Sequence, residues 1–253
     1  MNTKTKTGTR EWSDVSHNIG IGCSHGCLYC YAAAYAVEKG TVCDREDWMV
    51  ERLTPRRIPT KEGIIMFPTA HDITPYYLDA SLAAIEAMVR AGRQVLIVTK
   101  AHLECVEAIC NQFGNYKKFM EFRITIGSMD EDFSRFWEPG APSPQERLEA
   151  LRHAFLKLFK TSVSIEPMLG NIYQTCEVVY QVDPYVSEHI WIGKMNSLIK
   201  RLDMPEEHKD NFIEALGEAQ SDENIMKLYD ALKHDTKIKW KDSIQSVVTR
   251  NQK

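Results

Sequence analysis

The stretch GCSHGCLYCYA, residues 22–32, places Cys23, Cys27 and Cys30 within eight positions. Thiolates are the ligands of zinc and of iron–sulfur clusters, so three of them in one short loop point to metal chemistry. Three thiolates on a four-iron cluster leave one iron without a protein ligand. An open coordination position is what a metal centre needs in order to bind a substrate or cofactor. The other reading is a non-catalytic metal-binding module: a structural zinc site with His25 as fourth ligand, or an electron-carrying iron–sulfur protein. Structural zinc sites, however, usually draw their ligand pairs from separate segments. Cys43, Cys105, Cys110 and Cys176 are scattered through the chain.

The rest of the 253 residues bounds the setting. The N-terminus, MNTKTKTGTREW, has no apolar stretch after its lysines and does not read as a secretory signal. No apolar run approaches the roughly 18 residues needed to span a bilayer. The expectation is a cytoplasmic protein with reduced thiols, no disulfide framework and no membrane partner. The net charge of −4, from 31 basic and 35 acidic residues, argues against a surface given over to nucleic acid.

The cysteine loop must be held by regular elements. Short apolar, β-branched runs at 17–22, 63–69, 94–100, 121–128, 161–167 and 189–195 read as strands buried on both faces. Helical stripes separate them. Leu78, Leu82, Ile85, Met88 and Val89 share one face ahead of Gly92, and Leu103, Val106, Ile109 and Phe113 form the next. Ser143, Pro144 and Glu146 have the spacing of an N-cap, a first-turn proline and a capping-box partner. The segment NIYQTCEVVYQVDPYV has a weaker helical pattern. Repeated βα units predict an α/β fold, a partial (β/α)6 TIM-type barrel with parallel strands. The chain reads as a single domain, 1–253, with a core over about 12–196 and a C-terminal helical extension over about 205–253. On such sheets the chemistry sits at the C-terminal ends of the strands.

With Tyr29 before the third cysteine and the loop following the first strand, the sequence resembles the radical SAM superfamily, most closely its spore photoproduct lyase-like and phage-associated branch. That resemblance implies a 4Fe-4S cluster on Cys23, Cys27 and Cys30, with S-adenosylmethionine (SAM) chelating the fourth iron. It implies reductive cleavage of SAM to a 5′-deoxyadenosyl radical that abstracts hydrogen from a substrate, and a low-potential, flavodoxin- or ferredoxin-like electron donor. By the same resemblance Tyr29 and Tyr31 contact the adenosyl part. FPTAHDI (67–73) replaces the glycine-rich motif that holds the methionyl amino group, through His71 and Asp72. Lys100 pairs with the methionyl carboxylate, and Thr125 and Ser128 touch ribose and carboxylate. From their positions alone, Glu166, a carboxylate inside an apolar run, is either a ribose or substrate contact or a loop anchor, and Asn196, just past the sixth strand, is a candidate adenine or substrate contact. A nucleobase or nucleic acid is the implied substrate, a peptide the next. Thr69 stands near the place where the lyases carry a hydrogen-donating cysteine, which speaks against thymine-dimer repair.

Three other features carry expectations. Arg147, early in its helix, reads first as a solvated helix arginine and second as a residue that reaches the cofactor pocket. Residues 129–144 read as a long lid or binding loop whose Phe133, Phe136 and Trp137 either stack on a base or close the barrel mouth by packing. Arg52, Arg56, Arg57 and Lys61, with the Lys4–Lys6–Arg10 arm, read first as solvated connecting faces and second as a surface that meets phosphates. The cysteine spacing generates the first prediction. Protein reconstituted without oxygen should hold about four irons per chain. Replacing Cys23, Cys27 or Cys30 by Ala should abolish the cluster, while Cys105→Ala and Cys110→Ala leave the iron content unchanged.

Overall fold

A computed structural model describes residues 8–54, 56–195 and 201–252. Its frame is a seven-stranded parallel sheet of β1 (Val15–Ser16), β4 (Ile65–Phe67), β5 (Val95–Thr99), β6 (Met120–Thr125), β7 (Lys160–Ile165), β8 (Ile190–Ile192) and β9 (Ile238–Trp240), in that spatial order. The sheet is not closed: β1 and β9 are its two edges. The helices α3 (Leu78–Arg90), α4 (Leu103–Gln112), α6 (Pro144–Leu156) and α7 (Ile172–Val182) make the crossovers between β4 and β8. This is the expected partial barrel of βα units.

The strands alternate more than their apolar look suggests. On β6 and β7, Phe122, Ile124, Val163 and Ile165 join Ala150, Leu151 and Ala154 of α6 in the main core. Arg123 and Thr125 pair in register with Ser162 and Ser164, and these four occupy the opposite, inner face. All are buried, so the inner face is polar and must satisfy itself. Arg123 does so in part, donating from Nε to Ser162 Oγ (3.0 Å) and from Nη2 to Glu121 (2.8 Å), while its Nη1 and Ser164 Oγ have no hydrogen-bond partner among the described residues.

Three elements depart from the sequence reading. The first strand is not 17–22. β1 lies earlier, and Gly20–Ile21 (β2) leaves the sheet to pair antiparallel with Arg52–Leu53 (β3). Glycines decide this: a Cβ on Gly20 would lie 2.3 Å from the Tyr77 ring, and one on Gly22 (φ +96°) only 2.2 Å from the Val50 carbonyl oxygen. The expected 129–144 lid contains α5 (Glu131–Trp137), capped by the Asp130 carboxylate on the Phe133 N–H. The tail is not purely helical either. After α8 (Glu206–Ala219) and α9 (Asp222–Leu232), β9 adds a seventh strand beside β8, and α10 (Asp242–Asn251) follows. The capping box proposed for α6 is half made. Ser143 caps the Glu146 N–H, but the Glu146 carboxylate accepts instead from the Leu103 N–H (3.1 Å). The full box sits on α7, between Asn171 and Gln174.

Ile225, Leu228, Ile244 and Val247 of the tail belong to the same core cluster as the strands. Leu228 is fully buried. Leu228→Ala should therefore lower the unfolding free energy by about 2–5 kcal/mol, in a single transition shared with the barrel. Urea titration followed by both tryptophan fluorescence and circular dichroism checks this.

Candidate active site

The cysteine loop is clamped from two sides. After Gly22, the Cys23 N–H donates to the carbonyl of Trp48 (2.9 Å), in the last turn of α2 (Arg45–Met49). Opposite, the Leu28 N–H donates to the Trp137 carbonyl (3.0 Å) and the Gly140 N–H to the His25 carbonyl (2.9 Å). A Cβ on Gly140 would lie 2.4 Å from the Ser24 carbonyl oxygen, so only glycine allows this approach. Cys30 opens α1 (Tyr31–Glu38) as its N-cap, its sulfur 3.4 Å from the Ala33 N–H. All three cysteines are free thiols and line one cavity of about 510 Å³ above the inner face of the sheet.

His25 lines the same cavity but is engaged elsewhere. Its Nε2 is 2.9 Å from His102 Nε2 and its Nδ1 3.5 Å from an Asp72 carboxylate oxygen. Burial lowers its pKa to about 4, so it is neutral at pH 7. Among the described residues, no three His, Cys, Asp or Glu side chains gather as ligands of one metal ion. The engagement of His25 by His102 and Asp72 speaks against its serving as a fourth zinc ligand. Burial raises the Cys23 thiol, with Asp72 and Cys27 adding to it, and pushes Cys27 up to about 12 although Lys100 opposes the shift. These thiols are protonated at pH 7 until a cation displaces the protons, so metal loading must release protons.

Asp72 and Glu138 supply the buried negative charge. Asp72 accepts from the Thr99 hydroxyl and from the backbone N–H groups of Lys100 (2.8 Å) and Ile73 (2.7 Å). Burial would raise its pKa, but His25, the Lys100 charge and the hydrogen bonds from Thr99 and Lys100 outweigh burial and hold it below the usual carboxylate range. Glu138, 2% exposed, accepts from the Tyr29 hydroxyl and pairs with Arg147, with Lys100 Nζ at 3.7 Å. Burial again works against the charge and is outweighed, first by Arg147 and then by Lys100. Lys100 lies 5.6 Å from the centroid of the Tyr29 ring. Arg147, also 2% exposed, donates to the Pro142 carbonyl (2.8 Å) and the Thr125 carbonyl (3.1 Å). It is a buried organiser, not the solvated helix residue expected from its position.

Tyr29, Tyr31, His71, Asp72, Lys100, Thr125 and Glu166 all line the cavity with the cysteines. Ser128 does not. It is buried, its hydroxyl accepting from the Asp130 N–H (3.1 Å) ahead of α5. Asn196 lies outside the described residues. Trp137 is no stacking platform: it is 1% exposed, packed with Leu169, Met195 and Phe212. Phe136 stacks on Phe212 of α8, ring centroids 5.0 Å apart. Arg52 pairs with Asp47, and neither the 52–61 basic residues nor the aromatic trio lines the cavity. Glu138, Trp12, Lys194 and Arg201 gave no sequence signal of their own.

Comparison with known proteins follows this geometry. No family model matches the chain. An uncharacterized protein of Acidianus two-tailed virus is 29% identical over 167 residues, covering 60% of this chain and 54% of that protein. One of Methanocaldococcus jannaschii is 24% identical over 177 residues, covering 67% and 66%. The chain thus matches about half to two thirds of the length of these curated relatives. Among solved structures, one of spore photoproduct lyase superposes with a TM-score of 0.61 at 14% identity, covering 95% of this chain and 79% of that one. Another, with bound AdoMet and dinucleoside spore photoproduct, gives 0.57 at 15%, covering 88% and 74%. SuiB of Streptococcus suis bound to S-adenosylmethionine gives 0.53 at 10%, covering 87% and 44%. The chain shares its fold with spore photoproduct lyase and SuiB.

Within that fold, the Glu138–Arg147 pair yields a stability prediction. Arg147→Leu strands a buried carboxylate and should cost about 3–5 kcal/mol. Glu138→Gln with Arg147→Leu should recover part of that loss, because the unpaired charge is gone. The pKa of Glu138 is lower folded than unfolded. Its stabilisation is therefore complete above about pH 4.3, the ordinary glutamate value, and fades as pH falls through the lower folded value. Acid unfolding of Glu138→Gln should accordingly lack part of the wild-type slope in that window, measured by urea titrations between pH 3 and 7.

Proposed function

We propose that this chain is a radical SAM enzyme, with a 4Fe-4S cluster on Cys23, Cys27 and Cys30. The observation that carries the reading is that three free thiols from one short loop, Cys23, Cys27 and Cys30, line one cavity at the C-terminal ends of parallel strands in this fold. The donor set fits. His25 is occupied by His102 and Asp72, which leaves three sulfurs and one iron open to SAM. The cavity volume is in the range of small-molecule and cofactor sites. Once loaded and reduced by a flavodoxin- or ferredoxin-like donor, the cluster and SAM supply the 5′-deoxyadenosyl radical.

The chain's own residues bind and orient. Lys100, held by Glu138 and by the face of Tyr29, offers its ammonium to the SAM carboxylate. His71 is fixed by the Ile19 N–H donating to its Nε2 (3.2 Å), and with Asp72 it borders the place for the amino group. Tyr31, whose hydroxyl donates to the Thr69 carbonyl, stands at the adenosyl side, and Thr125 and Glu166 at the ribose side. Ser128, off the cavity, is not given a part. Buried walls exclude water from the reacting groups.

For the substrate we favour a nucleobase carrying phosphate, with a peptide second. Arg10, Lys194 and Arg201 line the cavity, and none of the three side chains is ion-paired among the described residues. Arg201 lies 5.8 Å from the centroid of the Tyr31 ring, an arrangement suited to an anion beside a ring. One structural neighbour is described with a dinucleoside spore photoproduct and another with a precursor peptide. Thr69 in the cavity wall, in place of a thiol, argues against thymine-dimer repair. Among the described residues no helix is long and apolar enough to cross a membrane. We place the protein in the cytoplasm, where thiols stay reduced.

Anaerobic reconstitution with electron paramagnetic resonance tests the reading. SAM should shift the spectrum of the reduced cluster. Lys100→Met should weaken SAM binding by roughly ten- to a hundredfold, the value of one charge-assisted contact, with iron content unchanged. Stoichiometric zinc with no iron uptake, or a cluster spectrum indifferent to SAM, would overturn it.

A further inference from the structure

The two edges of the sheet are not joined by a backbone ladder, and a single buried cation spans the gap. Lys241, directly after β9, is 1% exposed. Its Nζ lies 3.0 Å from Glu11 and 3.2 Å from Glu166, and donates to the Gly8 carbonyl (2.8 Å). It also sits 4.1 Å from the centroid of the Trp12 ring. The Asp242 N–H donates to the other Glu11 oxygen (3.2 Å). Residues 8–12 lead into β1, so these contacts tie the entry of the first strand to the exit of the last.

Packing alone does not explain a lysine here. A buried cation is costly, and apolar residues of similar volume often close a seam as well or better. The site is also shaped for it. A Cβ on Gly193 would lie 2.9 Å from Lys241 Cγ and 3.1 Å from Glu166 Cγ, so both side chains pass over a position where only glycine leaves room. Beside the latch lies a second, polar cavity of about 330 Å³ that shares Gly8, Glu166 and Lys194 with the main one. Of the groups Lys241 touches, Gly8, Trp12 and Glu166 line the main cavity.

We infer that Lys241 is a positioning residue for the SAM and substrate cavity. It latches residues 8–12 across the open seam of the barrel and thereby fixes Trp12 and Glu166 in the cavity wall. The part played by SAM rests on the radical SAM reading above; the latch itself does not.

Full-length Lys241→Met, Glu11→Gln and Glu166→Gln, reconstituted anaerobically, test it by hydrogen exchange, iron content and equilibrium SAM binding. Lys241→Met should speed amide exchange over 8–16 by at least about tenfold. Exchange over 95–99 and the iron content should stay at wild-type values. SAM affinity should fall by about tenfold, with Glu11→Gln changing both readouts in the same direction but less. If Lys241→Met does not fold, Glu11→Gln decides alone. Faster exchange throughout the barrel marks a merely structural residue and overturns the proposal, as does unchanged exchange over 8–16. Unchanged SAM affinity with a loosened 8–16 segment overturns the positioning role. Should Glu166→Gln keep wild-type affinity while Lys241→Met loses it, the latch stands and acts through Trp12. Should the wild type bind no SAM, the radical SAM reading fails, and local against global exchange still decides the latch.

Discussion

Glu138 and Arg147 meet where neither side chain reaches water, and the walls of the cavity depend on that meeting. A carboxylate buried alone would take up a proton, and a guanidinium cannot give one up, so each requires the other. Once paired they have donors and acceptors left over. Arg147 uses its remaining N–H groups on the Thr125 and Pro142 carbonyls, joining the end of β6 to the start of α6. Glu138 holds the Tyr29 hydroxyl and the Lys100 ammonium. One ion pair thus fixes a residue of the cysteine loop, the end of β5 and the end of β6. The same turn docks its backbone on the loop through Trp137 and Gly140.

The inner face of the barrel follows a related logic. An eight-stranded barrel of this type fills its centre with apolar layers. This open, seven-stranded sheet fills it with polar groups that answer one another: Arg123 with Glu121 and Ser162, and Trp12 between the cations Arg123 and Lys241. The arrangement keeps carboxylates and cations available at the cavity floor while the outer, helix-facing side carries the apolar burial. It also explains why the sheet need not close by hydrogen bonds. Side chains from residues 8–12 and 241–242 occupy the seam.

Much of the frame was legible in the sequence because it rests on local rules. The runs at 94–100 and 161–167 became β5 and β7 within a residue or two, since buried parallel strands must be short, apolar and β-branched. Gly92 and Ser143 marked helix boundaries through backbone geometry that no neighbour needs to supply. The short elements were less legible. The run at 17–22 has strand composition, yet the Tyr77 ring, 57 positions beyond Gly20, displaces it from the sheet. The tail strand Ile238–Trp240 is three residues long, and its pairing with β8 exists only once the barrel has formed.

The sequence by itself marked out the three-cysteine loop, because thiols at 23, 27 and 30 share one local segment and need no distant partner to be noticed. It also determined the order of βα units, through periodicity and caps. Only the tertiary structure decided how the charges are used. Glu138, Arg147 and Lys241 look like solvated charges in a one-dimensional reading, since such side chains usually are, and Glu166, inside an apolar run, shows no partner there. Their burial, and with it their partnership, arises from separations of 9 positions in one pair and 75 in the other, distances over which sequence pattern carries no signal. A charge acquires its meaning from the dielectric around it, and that is set by the packing of the whole chain.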